Sequence, residues 1–317
     1  RGVLMRALGI DIGGTMIKTA IVDENGVISE KKLYPTQRKL REQLLQIVKE
    51  ELAVSNPEAI GIGTAGRVDP LTGEVNLATD NLTGWTGVPL KSFIQEETGV
   101  VTAVLNDANA AALGEWFSNH RRTETLVMLT VGTGLGGGVV MNGVPLLGKR
   151  GEAAEFGHVV LHPGGRRCNC GKAGCAEQYV SMRLIHRLVT EVTGRELDRA
   201  TLVEQYMSGD PIVEKAVDTV ASDLAIVIDS IFLSFDPETV VIGGGICELG
   251  DRFLLSLREK LAAPSQLSLY SPENVVLSLS RNDSGIIGAA IFAMKSASRK
   301  QLRPTRRGRK RDYPAPE

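Results

Sequence analysis

The sequence predicts a two-lobed α/β protein in which related lobes face each other across a cleft. At 317 residues the chain exceeds what a single core usually needs. It also reads twice as an apolar strand, a turn bearing glycine and threonine, and a second strand: Ala7–Asp11 with Gly13-Gly14-Thr15, then Thr125–Val131 with Gly132-Thr133-Gly134. Helical segments separate the remaining strands, as expected when sheets carry helices on their faces.

The first half predicts strands at Ala7–Asp11, around Ile17, at Ala20–Val22 and at Val27–Leu33, with Glu24-Asn25-Gly26 as a turn. Arg38–Val54 has helical spacing, with Leu40, Leu44, Leu45, Ile47, Val48 and Leu52 on one side. Ala59–Gly63 and Val100–Leu105 are further strands, the latter leading into a helix over Ala108–Phe117. In the second half, Thr125–Val131, Gly138–Met141 and Thr239–Ile242 read as strands. Ile212–Phe235 and Ile286–Met294 read as helices.

Composition narrows the function classes. With 43% hydrophobic and 23% charged residues the chain is an ordinary globular protein. It shows neither a signal-like N-terminal stretch nor an apolar run long enough for a membrane span, so a cytoplasmic protein without a membrane partner is expected. The net charge of −1 hides a basic end: residues 299–317 hold eight Lys or Arg against Asp312 and Glu317. With Pro304, Pro314 and Pro316, that end is expected to be a solvated, disordered tail rather than a nucleic-acid reader.

Five motifs carry chemistry. In Asp11-Ile12-Gly13-Gly14-Thr15-Met16-Ile17-Lys18, glycine amides can turn toward phosphate oxygens, Thr15 adds a hydroxyl and Lys18 a positive charge. Asp11, at a strand end, suits a magnesium ion held through water. By itself this segment is equally a plain hairpin turn. The run Val131–Gly138 contains GxGxxG, as does Gly61–Gly66, but neither opens a helix, which excludes a dinucleotide fold. No GxxxxGK[ST] loop is present either. What remains is a second phosphate-facing hairpin at Thr133 and Gly134.

Asn106-Asp107-Ala108-Asn109 stands between a strand and an alanine-rich helix. It reads as a helix cap or, with the same geometry, as a carboxylate that takes a proton from an attacking hydroxyl while Asn106 orients the substrate. Cys168, Cys170 and Cys175, with His158 ten residues upstream, are four soft ligands for a tetrahedral, structural Zn²⁺; His162 is the rival fourth ligand. Glu155, His158 and Glu177 flank this knuckle and can accept hydrogen bonds from hydroxyls. Val240–Gly245 is a buried strand ending in glycines, against which a flat base can lie. Cys247 beside it reads as core.

These motifs, in this order, resemble the ROK sugar kinases, of the superfamily that includes hexokinase and actin. The resemblance runs from about Arg6 to Ser296 through DIGGTMIK, GIGTAGRVDP, NLTGW, LNDANAAALGE, VGTGLGGG, EFGH, CNCGKAGCAEQ and VVIGGGI. It implies an actin/hexokinase-like (ribonuclease H-like) fold with a zinc knuckle. The small lobe would comprise 1–118 plus 284–298, and the large lobe 119–283. It implies Asp107 as catalytic base, and Gly66, Arg67, Asn81, Asn106, Glu155, His158 and Glu177 as sugar contacts. Asp11, Gly13, Gly14, Thr15, Lys18, Thr133, Gly134, Gly244 and Gly245 would hold magnesium-ATP, and His158, Cys168, Cys170 and Cys175 would hold zinc. The implied activity is phosphorylation of a hexose by ATP, with glucose to glucose 6-phosphate first and an N-acetylhexosamine as the alternative. The implied assembly is a homodimer. Ala65-Gly66-Arg67 looks closer to an N-acetylmannosamine kinase, whereas Asn81–Trp85 looks like a bacterial glucokinase. The family also holds sugar-responsive repressors, which carry a helix-turn-helix ahead of the first motif. With that motif beginning at Asp11, a repressor is not the expected reading, and Asp107 argues against a catalytically silent sugar sensor.

Overall fold

The computed structural model describes residues 4–78, 81–261, 270–280 and 283–301. The basic end expected to be disordered lies almost wholly outside the described residues. The first half runs β1 (Arg6–Ile12), β2 (Met16–Asp23), β3 (Ile28–Pro35), α1 (Leu40–Ser55), β4 (Ala59–Thr64), β5 (Arg67–Val68), β6 (Val75–Leu77), α2 (Leu90–Thr98), β7 (Val101–Asn106) and α3 (Asp107–Asn119). The second half runs β8 (Thr125–Val131), β9 (Leu135–Met141), β10 (Val144–Pro145), α4 (Met182–Thr193), α5 (Arg199–Ser208), α6 (Pro211–Phe235), β11 (Thr239–Gly243), α7 (Gly250–Leu261), β12 (Val275–Leu277) and α8 (Ser284–Gln301).

The duplication is visible in the sheets. One has the order β3-β2-β1-β4-β7 and the other β10-β9-β8-β11-β12. In each, three antiparallel strands from consecutive chain segments are extended by two parallel ones. Burial follows from that arrangement. Every residue of β4, an interior strand between β1 and β7, is buried, so its sequence is apolar or small throughout. The edge strand β3 exposes Glu30, Lys31 and Lys32, charges that discourage pairing with another chain. α1 buries Leu40, Leu44, Ile47 and Val48 as its spacing predicts, and it ends where Asn56 turns left-handed. α6 begins with Pro211 after Asp210, whose carboxylate caps the amides of Ile212 and Val213.

The helices that follow the last parallel strands change sides. α3 leaves the first sheet and lies on the second, with its Ala112 Cβ 2.6 Å from where a side chain on Gly138 would begin. α8 leaves the second sheet and packs on β1 and β4, burying Ile286, Ile287, Ala290 and Ile291 with Ala7 and Ala59. The two helices cross each other so closely that Gly114 meets the Ser284 carbonyl and Gly288 the Ala110 carbonyl. A shared cluster of Leu105, Ala110, Leu113, Leu126, Met128, Val140, Val241 and Ala289 joins the halves there.

One expected boundary shifts for a physical reason. Gly136 and Gly137, read in the sequence as part of a turn, belong to β9 and pair with Thr130 and Leu129. Gly137 faces Phe156, and the neighbouring Gly138 faces α3. Packing, rather than phosphate, accounts for the end of that glycine run.

Candidate active site

Asp107 is the first residue of α3. Asn106 precedes it as the cap, its Oδ1 accepting from the amides of Ala108 at 2.9 Å and Asn109 at 3.2 Å. Asn106 Nδ2 donates to the Gly66 carbonyl at 2.8 Å. The cap and the tether thus occupy both polar atoms of the Asn106 side chain. Gly66 itself has φ of +108°, and a side chain there would run into the Leu77 carbonyl. The tether fixes the angle at which α3 starts and so the direction of Asp107. Burial first, then the Asp11 carboxylate and more weakly that of Glu155, push the Asp107 carboxyl up to about 6, against the Ala108 amide. Acids from β1, from α3 and from the loop after β10 therefore converge.

Asp11 lies near the end of β1, opposite Lys18 of β2, and the two form an ion pair at 3.1 Å. The β1–β2 turn is closed by the Gly13 amide donating to the Met16 carbonyl at 2.9 Å. Thr36 straps it from outside, its hydroxyl donating to the Gly13 carbonyl at 2.8 Å. Asn81 sits on this turn, its Cβ 3.0 Å from where a side chain on Gly14 would begin. Asn81 thus faces the turn expected to bind phosphate. Trp85, fully buried, anchors that loop by donating from Nε1 to the Thr64 hydroxyl at 2.9 Å. Gly285, at the head of α8, has no side chain to crowd the Asp11 carboxylate; one there would begin 3.3 Å from the Asp11 Cγ.

The corresponding turn of the second sheet, β8–β9, contains Thr133 and Gly134, and the Gly132 amide donates to the Gly134 carbonyl at 3.0 Å. Glu177 Oε2 lies 2.7 Å from the place a Gly134 side chain would take. The phosphate-type turn and the knuckle are therefore in direct contact. At the end of β11, Gly244 lies under the Val131 carbonyl, and the Arg199 guanidinium covers Gly245. Arg199 is in turn held by Glu248 at 2.7 Å.

His158, Cys168, Cys170 and Cys175 place their ligand atoms within 4.8 Å of one another. His158 Nδ1 is 3.6 Å from Cys168 Sγ, and the Cys170 and Cys175 sulfurs are 3.5 Å apart. Bonds of ~2.3 Å to a tetrahedral zinc require sulfur separations of about 3.8 Å, so the donor set fits the ion. His162 is engaged elsewhere, with Asp223 at 2.8 Å, which leaves His158 as the fourth ligand of the set. Glu177 Oε1 accepts from Cys168 Sγ at 3.1 Å and lies 3.9 Å from His158 Nδ1. Glu155 Oε2 lies 4.0 Å from the other ring nitrogen, Nε2. Cys247 is half-buried, its sulfur donating to the Ile242 carbonyl.

Arg67 meets Glu152 at 2.7 Å, a contact between β5 and the loop after β10. Sequence reading singled out Arg67 but not its partner. Arg199, Gly285 and Glu115 of α3 were also missed. Only Glu115 left a local trace: an acid inside the apolar run Ala110–Phe117 demands buried partners.

The ROK family profile matches residues 7–296. A glucokinase of Thermotoga maritima is 36% identical over 306 residues, covering 90% of this chain and 96% of the relative. An N-acetylmannosamine kinase of Salmonella arizonae is 32% identical over 303 residues, covering 91% and 98%. The crystal structure of a ROK family glucokinase from Streptomyces griseus, in complex with glucose and AMPPNP, aligns with a TM-score of 0.79 at 29% identity, over 92% of this chain and 99% of that one. No described helix is long and apolar enough to cross a membrane. With one profile running through both duplicated sheets, the chain belongs to the ROK family.

Proposed function

We propose that the chain transfers the γ-phosphoryl group of ATP to a hexose, with glucose as the preferred sugar and its 6-hydroxyl as the acceptor. The observation that carries this reading is the Asp107 carboxyl, pushed up to about 6 by its surroundings at the head of α3. A carboxylate of that basicity is ionised at neutral pH and still able to accept the proton of an attacking hydroxyl. Glu155, His158 and Glu177 form a wall suited to sugar hydroxyls. The zinc set ties that wall together, so the ion would be structural, with four protein ligands and no open position.

The Asp11 carboxylate adds to the cost of ionising Asp107, a local concentration of acidic groups that suits a divalent cation. Mg²⁺ carried with ATP would neutralise phosphate charge beside Asp11. Backbone amides of the Gly13-Gly14-Thr15 and Thr133-Gly134 turns would hold phosphate oxygens, with Lys18 adding charge. Gly244 and Gly245 would underlie the adenosine. We take residues 1–118 with 284–298 as one lobe and 119–283 as the other, closing on the sugar to exclude water.

N-acetylmannosamine is the second reading, and Arg67 favours it. Burial pushes the Glu155 carboxyl up, but the neighbouring His158 and the Arg67 charge oppose that shift, so Arg67 acts electrostatically on the sugar wall. ADP release should be measured with magnesium-ATP and a panel of glucose, mannose, N-acetylglucosamine and N-acetylmannosamine. The highest kcat/KM is expected for glucose. N-acetylmannosamine ahead of glucose would establish the second reading, and no sugar-dependent ADP at all would refute the kinase.

A further inference from the structure

Two stretches of chain leave the ends of the sheets' outer elements: 120–124, from α3 into β8, and 278–280, which follows β12 ahead of α8. Both meet at Glu115, a fully buried acid near the end of α3 that touches none of the candidate site residues described above. Its Oε2 accepts from the Ser278 hydroxyl at 2.6 Å and the Ser280 amide at 3.2 Å. Its Oε1 accepts from the Leu279 amide at 3.1 Å and from Asn119 Nδ2 at 2.9 Å. Asn119 Nδ2 also donates to the Ser280 hydroxyl at 2.7 Å, and His120 Nε2 lies 3.7 Å from Glu115 Oε1.

The chemistry of this cluster needs a carboxylate. Two successive backbone amides and a hydroxyl converge on it, as donors converge on a bound anion. Burial alone would push the Glu115 carboxyl up, yet the nearby His120 ring and the bonds from Ser278, Leu279 and Ser280 outweigh it and hold the group at about 2. It therefore stays ionised throughout the physiological range. A glutamine of the same shape has one acceptor oxygen and turns an NH₂ toward donors, leaving at least one of them unpaired.

Its place in the fold gives the cluster a consequence at the site. Glu115 lies eight residues after Asp107 on one helix, about 12 Å along its axis. α3 rests on the second sheet, and α8, which follows the pinned segment, rests on the first. We infer that Glu115 is a positioning residue: it fastens the β12–α8 crossing to the end of α3, so that the Asp107 carboxylate keeps one aim while the halves move against each other. This rests on the kinase reading only for its catalytic consequence.

The test uses the full chain carrying Glu115→Gln or Ser278→Ala. Sugar phosphorylation, sugar-independent ATP hydrolysis and amide hydrogen exchange of 278–280 are measured per mole of folded protein. Glu115→Gln is expected to lower kcat tenfold or more while sugar KM moves less than threefold. The share of ATP hydrolysed without phosphorylating sugar should rise, and the amides of Leu279 and Ser280 should exchange faster. Ser278→Ala should move every readout the same way by less. Normal kcat and coupling in Glu115→Gln, or a loss that vanishes once the folded fraction is counted, would overturn the inference. If Glu115→Gln does not fold, Ser278→Ala and Asn119→Ala carry the test, and unchanged coupling in both overturns it. Wild-type protein without sugar-dependent ADP sinks the kinase reading instead. Exchange at 279 and 280 then decides the pin alone, faster in Glu115→Gln supporting it and unchanged refuting it.

Discussion

The two sheets repeat one topology, but the turns at their heads carry different chemistry. The β1–β2 turn is flanked by an ion pair, Asp11 on one strand with Lys18 on the other. At the corresponding place in the second sheet, Thr130, Val131 and Gly132 lead into Thr133 and Gly134 without a charge. The second half instead gains its charged groups from the segment after β10, where Glu155, His158, the cysteines and Glu177 are gathered by short turns. Duplication thus accounts for a glycine turn at the head of each sheet. In the function proposed above, the asymmetry would divide the work, with proton and metal chemistry in the first half and the shaping of the sugar wall in the second.

That division is broken most directly at Asp107. Asp107→Asn is expected to lower kcat by ~10²-fold or more with sugar KM nearly unchanged, because the amide keeps the shape and loses the base. Stability should move the opposite way. A carboxyl whose folded value is raised from 3.8 to about 6 contributes fully to stability below 3.8 and loses that contribution as pH rises through 6. In the ligand-free protein at pH 7.5, Asp107→Asn should therefore raise stability by about 1–3 kcal/mol, a gain absent at pH 3.5. Urea midpoints at both pH values check it. For the wild type, kcat/KM should fall on the acid side of pH 6, and a flat profile down to pH 5 would remove Asp107 as the base.

The second half is broken at the knuckle. Cys170→Ser, the exposed ligand, should lower bound zinc well below one per chain and raise sugar KM about tenfold, while ATP KM changes less than threefold. Metal analysis with kinetics on both substrates gives the answer. An equal loss for both substrates would mean that the knuckle supports the whole cleft rather than the sugar wall.

What the sequence disclosed follows the range of the interactions involved. α1, α6 and the predicted strands other than β9 are set by local period and stand within about two residues of expectation, and spacing alone marked the Cys/His cluster; the short strands β5, β6, β10 and β12 left no such signal. The β9 glycines Gly136 and Gly137 were misread because what they pack against, Ala108 of α3 and Phe156, lies about 20 to 30 residues away in the chain. Asn106 shows a subtler limit. Its type suited both a cap and a sugar contact, and only the tether to Gly66 reveals that its polar atoms are already engaged. Glu115 bonds to residues 163 to 165 positions away, a pairing that no motif encodes.

The finest probe of the comparison is the ion pair that crosses it. Arg67 and Glu152 are each about one-third exposed, so their attraction is screened and is expected to be worth no more than ~1 kcal/mol. Arg67→Ala and Glu152→Ala should each raise sugar KM two- to fivefold, and the double variant should cost less than the product of the two. The charge-reversed pair, Arg67→Glu with Glu152→Arg, separates two roles. If Arg67 serves to hold the two halves at the cleft mouth, reversal should restore most of the lost affinity for glucose. If Arg67 instead binds the sugar itself, reversal should leave the defect in place and N-acetylmannosamine should suffer more than glucose. The first outcome makes the pair a latch between the duplicated halves. The second makes Arg67 a first-half residue that reads substrate, which would weaken the division of labour drawn from the two sheets.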